Sequence, residues 1–176
     1  MILKETDRII LRHFEMKDAG ALFQLDSDPE VLTYLHVPAV ASIEEVEQII
    51  RRIQGEYDSD GTARLIVEEK ETGEVMGWAG LKYIRENING LINFHDVGYR
   101  LRKQFWGKGF ATEAAIASLD YGFDDLGLSE IYGMADVNNI ASNKILTKIG
   151  MTNQGVFDYE GVPHNCYHIE KRVDEG

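Results

Sequence analysis

The chain has 176 residues, 44% of them hydrophobic, which is enough for one ordinary core and too few for two domains of typical size. Its 18 Lys and Arg against 30 Asp and Glu give a formal charge of -12, which opposes a phosphate backbone and argues against nucleic acid as a partner. No apolar run approaches a membrane span, Met1 opens no targeting signal, and Cys166 stands alone, without a partner for a disulfide or a structural zinc site. The expectation is one soluble, cytoplasmic domain over residues 1–176, with no membrane contact.

The elements follow from the spacing of apolar residues. Arg8 to Phe14 predicts a first strand, and Lys17 to Leu25 a helix with Ala19, Leu22 and Phe23 on one face. Asp28-Pro29 restarts a turn of helix, since Asp caps and Pro is tolerated at the first helical position. Ser42 with Glu45 forms a capping box ahead of Val46, Ile49, Ile50, Ile53 and Tyr57 at helical spacing. Arg64 to Glu68 and Val75 to Tyr83 predict a hairpin turning at Glu71-Thr72-Gly73, with a loop at Asn87 to Gly90 and a strand from His95 to Leu101. From Ala111 a helical pattern runs through Ala115, Leu119, Phe123 and Leu126 to Gly127, and Ile131 to Val137 is a strand. A short helix from Ile140 ends at Gly150, and strands at Thr152 to Tyr159 and Asn165 to Arg172 meet around Glu160-Gly161. The sum is an α/β fold: a mixed, mostly antiparallel sheet of about seven strands flanked by helices on both faces.

Val97 to Glu113, VGYRLRKQFWGKGFATE, places a strand, a glycine turn and a helix start in succession. Free N–H groups at such a helix start, with the helix dipole behind them, form an anion site, and Gly107 and Gly109 let a phosphate approach the backbone. Lys108 or Thr112 can add a donor. The P-loop and dinucleotide templates both fail here: Gly-Lys is followed by Gly, and Thr112 stands where a third glycine would be. Taken alone, Gly-Lys-Gly is equally a plain tight turn.

Gln104-Phe-Trp-Gly-Lys-Gly109 matches the Q/R-x-x-G-x-G/A signature of the GNAT acetyltransferases, and the chain resembles their ribosomal-protein N-acetyltransferase (RimJ/RimL-like) branch. The resemblance extends to Thr6 to Arg12, Ser27 to Val31, Asn139 to Ser142 and Lys148 to Gly150. It implies acetyl-CoA as co-substrate, its pyrophosphate held by the N–H groups of Gly107, Lys108, Gly109, Phe110, Ala111 and Thr112 with Gln104 at the mouth of the turn. It implies that the pantetheine arm runs along the strand edge at Leu101, Asn139 reaches that arm, and Ser142 lies near the sulfur as proton donor to the departing thiolate. Asp96 and Glu160 are the candidate bases. Each has an alternative reading: Asn139 as a helix cap, Ser142 as a first-turn residue, Asp96 and Glu160 as two of many solvated carboxylates, Trp106 and Phe110 as core anchors.

The implied reaction is direct attack of an uncharged primary amine on the thioester in a ternary complex, with an N–H near Leu101 holding the oxyanion. The acceptor expected is a protein or peptide N-terminal amine. The alternatives are a small amine, such as a polyamine or aminoglycoside, and a non-catalytic acyl-CoA-binding module. Thr33 to Ser42, Ile84 to His95 and Gln154 to Asn165 are the segments free to set acceptor specificity. No metal is expected, since the five His lack a metal-ligand spacing. A homodimer is left open, because an added strand or helix face leaves no sequence mark.

Overall fold

The structure is a computed structural model and describes residues 1–173. Strand β1 (Ile2–Glu5) turns back into β2 (Ile9–Arg12), a 3-10 turn at Met16–Asp18 leads into helix α1 (Ala19–Asp26), and α2 spans Ile43–Asp60. Next come β3 (Arg64–Glu69), β4 (Val75–Ile84), β5 (Phe94–Leu101), α3 (Phe110–Asp120), β6 (Glu130–Asp136), α4 (Ile140–Lys148), β7 (Thr152–Tyr159) and β8 (Val162–Glu170). The eight strands form one sheet in the order β1-β2-β3-β4-β5-β6-β8-β7, antiparallel throughout except where β5 meets β6.

Alternation along the strands decides which helix each face receives. Leu65 and Val67 of β3 pack with Leu101 and with Phe110, Ala114 and Ala117 of α3, whereas Ile66 between them packs with Val46, Ile50 and Ile53 of α2 and Leu22 and Leu25 of α1. A third cluster joins Val97, Ile131, Ala135 and Tyr167 to Leu119 of α3 and Leu146 of α4. Helices α3 and α4 therefore share one face, and α1 and α2 cover the other. Burial of these apolar side chains at roughly 25 cal/mol per Å² is the main force holding the layers together.

Several elements differ from the sequence expectation, among them the first strand, observed over Ile9–Arg12 rather than Arg8 to Phe14, and the last, which ends at Glu170 rather than Arg172. The sheet has eight strands rather than about seven, because Ile2–Glu5 adds an edge strand too short to show a period. The last strand begins at Val162, not Asn165, since Glu160 (φ 51°) and Gly161 (φ 84°) make a two-residue turn that pairs Tyr159 with Val162. The helical pattern to Leu126 is realised as α3 followed by one π turn, Tyr121–Asp125, in which Gly122 packs so close to the side-chain ends of Leu81 and Ile131 that a Cβ would make them shift. The segment after Asp28-Pro29 forms turns and no regular helix. The Ser42 cap forms, its Oγ accepting from Glu45 N, but the Glu45 carboxylate reaches back to Ala41 N.

Candidate active site

The parallel pair in the sheet is also its weak point. Strands β5 and β6 are paired at Asp96–Tyr132 alone, and beyond that position Val97 to Leu101 diverge from Gly133 to Asp136. The gap is a cavity of about 800 Å³. Residues from both faces of the sheet line it: Val97, Tyr99, Phe110, Ser142 and Ile145 from the α3/α4 side, and Arg64, Trp78, Asp96, Arg100, Asp136 and His164 from the other. The cavity thus passes through the sheet where the two strands part.

On the α3/α4 side the start of α3 has no side-chain cap. Its N-cap is Gly109 in the left-handed region (φ 81°), preceded by Gly107 at φ 72°, conformations that suit glycine. The first-turn N–H groups of Phe110, Ala111 and Thr112 precede the first intrahelical bond, from Glu113 N to Gly109 O, and so remain free for an outside acceptor. Helices α2 and α4 differ: Ser42 and Asn139 occupy the corresponding groups. Arg8 braces the turn from behind. Its guanidinium bonds to Glu113 at 2.6 Å and to the Lys108 carbonyl at 2.9 Å, and lies 4.2 Å over the Phe110 ring. Hydrogen bonds from Thr6 and Arg8 outweigh the effect of burial and hold the Glu113 carboxyl below its ordinary range. A braced helix start with exposed N–H groups and a positive dipole end fits a pyrophosphate.

The other expected cofactor contacts are spread around this turn. Leu101 ends β5 at the cavity wall, and its carbonyl accepts from Trp106 Nε1 at 2.8 Å. Trp106, expected as a core anchor, is 45% exposed at the rim, while Phe110 is buried against Phe105. Gln104 Nε2 donates to Glu74 at 3.1 Å, and neither Gln104 nor Lys108 contributes to the cavity wall.

Deeper in the cleft, Asn139 Oδ1 accepts from Ser142 N at 3.2 Å and so caps α4. Ser142 Oγ lies 2.9 Å from the Tyr99 hydroxyl, which also reaches the Ser142 carbonyl at 3.2 Å. Burial pushes the Tyr99 phenol up to about 12, so it stays protonated. Asp96 sits on the opposite wall, its Oδ2 accepting from Arg64 at 2.6 Å. Burial raises the Asp96 carboxyl above its ordinary range, with Arg64 opposing. Gly98 is where the Arg64 guanidinium crosses β5: a Cβ there would lie 2.8 Å from it. Glu160 is at the exposed tip of the last hairpin and does not reach the cavity wall.

Sequence reasoning left out Arg8, Tyr99 as a hydroxyl, and the group His36, Asp136 and His164. His36 Nε2 donates to Asp136 Oδ2 at 2.6 Å, tying the segment before α2 to the end of β6, and His164 stands opposite Asp136 on β8. Only the alternation of β5 could have pointed to Tyr99; the other contacts cross long stretches of chain. Of the three specificity segments, Thr33 to Ser42 and Gln154 to Asn165 contribute to the wall, and Ile84 to His95 does not. Glu130, His168 and Glu170 cluster at the other end of β6 and β8, a proximity that no spacing along the chain shows.

Residues 8–152 match the family model for the acetyltransferase (GNAT) domain. The chain is 36% identical over 157 residues to the N-acetyltransferase p20 of Bacillus licheniformis, covering 88% of this chain and 85% of that protein. It is 33% identical over 173 residues to the N-acetyltransferase YoaA of Bacillus subtilis, covering 95% and 96%. A GNAT-family acetyltransferase from Bacillus anthracis superposes with a TM-score of 0.79 at 24% identity over 97% of this chain and 98% of that one. RimL, a ribosomal L7/L12 α-N-protein acetyltransferase solved with coenzyme A, gives 0.79 at 21% over 97% and 98%. With its signature at the uncapped start of α3 and its sheet split between β5 and β6, the chain belongs to the GNAT family of acetyl-CoA-dependent N-acetyltransferases.

Proposed function

We propose that this protein transfers the acetyl group of acetyl-CoA to the N-terminal α-amine of a protein or peptide, by direct attack within the cleft. The carrying observation is the state of the carboxylates in the cavity wall. Asp96 is paired with Arg64 at 2.6 Å, Asp136 accepts from His36 at 2.6 Å, and Glu30 meets Lys103 at 2.6 Å on the exposed rim, so no carboxylate without a partner stands in the wall to hold the distal ammonium of a polycation. An acceptor with a single amine on an otherwise neutral chain needs no such carboxylate. The opening on the Arg64 side, walled by Trp78, Tyr34 and Leu35, suits an extended chain end. RimL is named for acting on a protein α-amine, which agrees with this reading.

On this reading acetyl-CoA enters from the α3/α4 side, its pyrophosphate on the N–H groups of residues 107–112 and its pantetheine along the open edge of β5 near Leu101 and Asn139. The Ser142–Tyr99 hydroxyl pair then supplies the proton for the departing thiolate. A chain end has a free-solution pKa of about 8 against about 10.4 for a lysine side chain, so an α-amine also asks less of a base.

A second reading is kept because the chain is 29% identical over 153 residues to a spermidine N(1)-acetyltransferase of Escherichia coli, and because its charge of -12 attracts cations. The test is turnover, followed by thiol release, of peptides with free N-termini against spermidine and an aminoglycoside at equal concentration. Preference for the peptides supports the proposal; preference for spermidine, with peptides inert, would replace it by the second reading.

A further inference from the structure

We propose that His164 is the base that takes the proton from the acceptor amine, acting through Nε2. The inference rests on the amine-acetyltransferase reading and adds to it a residue outside the GNAT signature.

The geometry carries the assignment. Even-numbered residues of β8 face away from α4, so His164 stands in the acceptor half of the cavity, opposite Asp136 in the antiparallel register with β6. Its Nδ1 is 3.0 Å from the Val162 carbonyl. A carbonyl can only accept, so Nδ1 carries the hydrogen and Nε2 holds the lone pair. Among the described residues Nε2 has no hydrogen-bond partner, and it is not sealed from the cavity. The ring is 9% exposed and is held by Phe157 (centroids 6.1 Å apart), Tyr159 (5.4 Å) and His36 (6.2 Å). It is therefore fixed, oriented and unengaged.

The other proton acceptors on this wall are engaged. Asp96 is bound by Arg64, and Asp136 accepts from His36 and from Asn138 N. The titratable and charged groups facing His164 are Asp136 from β6, His36 from the segment before α2, Tyr159 from β7, and across the cavity the pairs Asp96–Arg64 and Arg100–Asp26. Burial alone would raise the Asp136 carboxyl, but bonds from Asn138 N and His36, with His164 nearby, hold it below its ordinary range. The Asp136 carboxylate therefore stays ionised across the sheet from His164.

In the step, the ammonium of the acceptor gives one proton to Nε2, and the neutral nitrogen attacks the thioester carbonyl carbon. A C–N bond forms and the C–S bond breaks. The thiolate takes a proton from the Ser142–Tyr99 pair, the second proton lost by nitrogen restores that pair, and His164 returns the first to solvent. An ammonium and a thioester thus give an amide, a thiol and one proton released to solvent.

The test compares His164→Gln with wild type, using an alanine-initiated peptide and spermidine as acceptors, and measures kcat/KM against pH together with acetyl-CoA binding by calorimetry. We expect unchanged acetyl-CoA binding, which also reports an intact fold, and a loss of about 100-fold near neutral pH. The loss should shrink as pH rises, because an amine already neutral in solution needs no base. A deficit constant across pH, or none at all, would overturn the proposal. So would nitrogen-15 spectra of the wild type in which the neutral His164 ring carries its hydrogen on Nε2, a reading that needs no variant. A wild type that binds acetyl-CoA and acetylates neither amine would overturn the amine reading itself, and the role of His164 with it.

Discussion

Ser142 and Tyr99 share one hydrogen bond of 2.9 Å, and either oxygen can pass a proton to a sulfur leaving between β5 and β6. With the phenol pushed up to about 12 by burial, the pair is protonated, as the proposed donor role requires. Ser142→Ala removes one hydroxyl but leaves Tyr99 bonded to the Ser142 carbonyl. The expected effect is a fall in kcat on the order of 10-fold, smaller than the ~10²–10⁴ of a lone acid–base group, with acetyl-CoA affinity unchanged. Steady-state kinetics beside calorimetry checks it: a raised KM for acetyl-CoA at constant kcat would make Ser142 a binding group. Ser142 was singled out in the sequence through a local resemblance, Asn139 to Ser142. Its partner was not, because Tyr99 lies 43 residues away and only the splaying of the strands brings the two hydroxyls together.

At the scale of elements, the starts of α3 and α4 differ: the first has no side-chain cap and the second has one. Asn139 caps α4 through Ser142 N, and loss of such a cap costs about 1 kcal/mol. Asn139→Ala should therefore lower Tm by roughly 2–4 °C in a chain of this size, read by thermal melting. An unchanged Tm would mean that the cap contributes nothing to stability and that Asn139 is kept for the ligand. Helix α2 was readable from Ser42 and its apolar stripe, whereas the α4 cap entered only as the alternative to a ligand contact for Asn139. The edge strand β1 was not, since four residues with two half-buried members give no period. The start of β8 was displaced by three residues because the tight turn at Glu160-Gly161 holds a non-glycine residue at positive φ, which composition does not announce.

Across the whole molecule, contacts distant in sequence set both the site and the stability. Arg8 reaches Glu113 over 105 residues and His36 reaches Asp136 over 100, so the brace behind the start of α3 and the tie across the cavity wall lay beyond any local pattern. The pH response belongs to this scale. Burial lowers the pKa of His95, with Asp60 opposing, and burial also lowers that of His13, so both fold in the neutral form. The stability each gives is complete above the unfolded value of about 6.5 and is lost as pH falls from there toward the lower folded value. Because the charge of -12 also shrinks on acidification, the readout is a difference: Tm of His95→Gln should fall less than that of wild type between about pH 7 and 5. Parallel curves would remove His95 from the account.

The central claim is that the uncapped start of α3 holds the pyrophosphate of acetyl-CoA, and calorimetry of acetyl-CoA against wild type and Thr112→Glu tests it most directly. Thr112 is the third residue of α3, where glutamate favours the helix, so the variant keeps its fold while placing a negative charge in the cradle. The account predicts at least about a 10-fold loss of affinity, about 1.4 kcal/mol, with Tm not lowered. Equal affinity in the two proteins would contradict it and place the phosphates elsewhere.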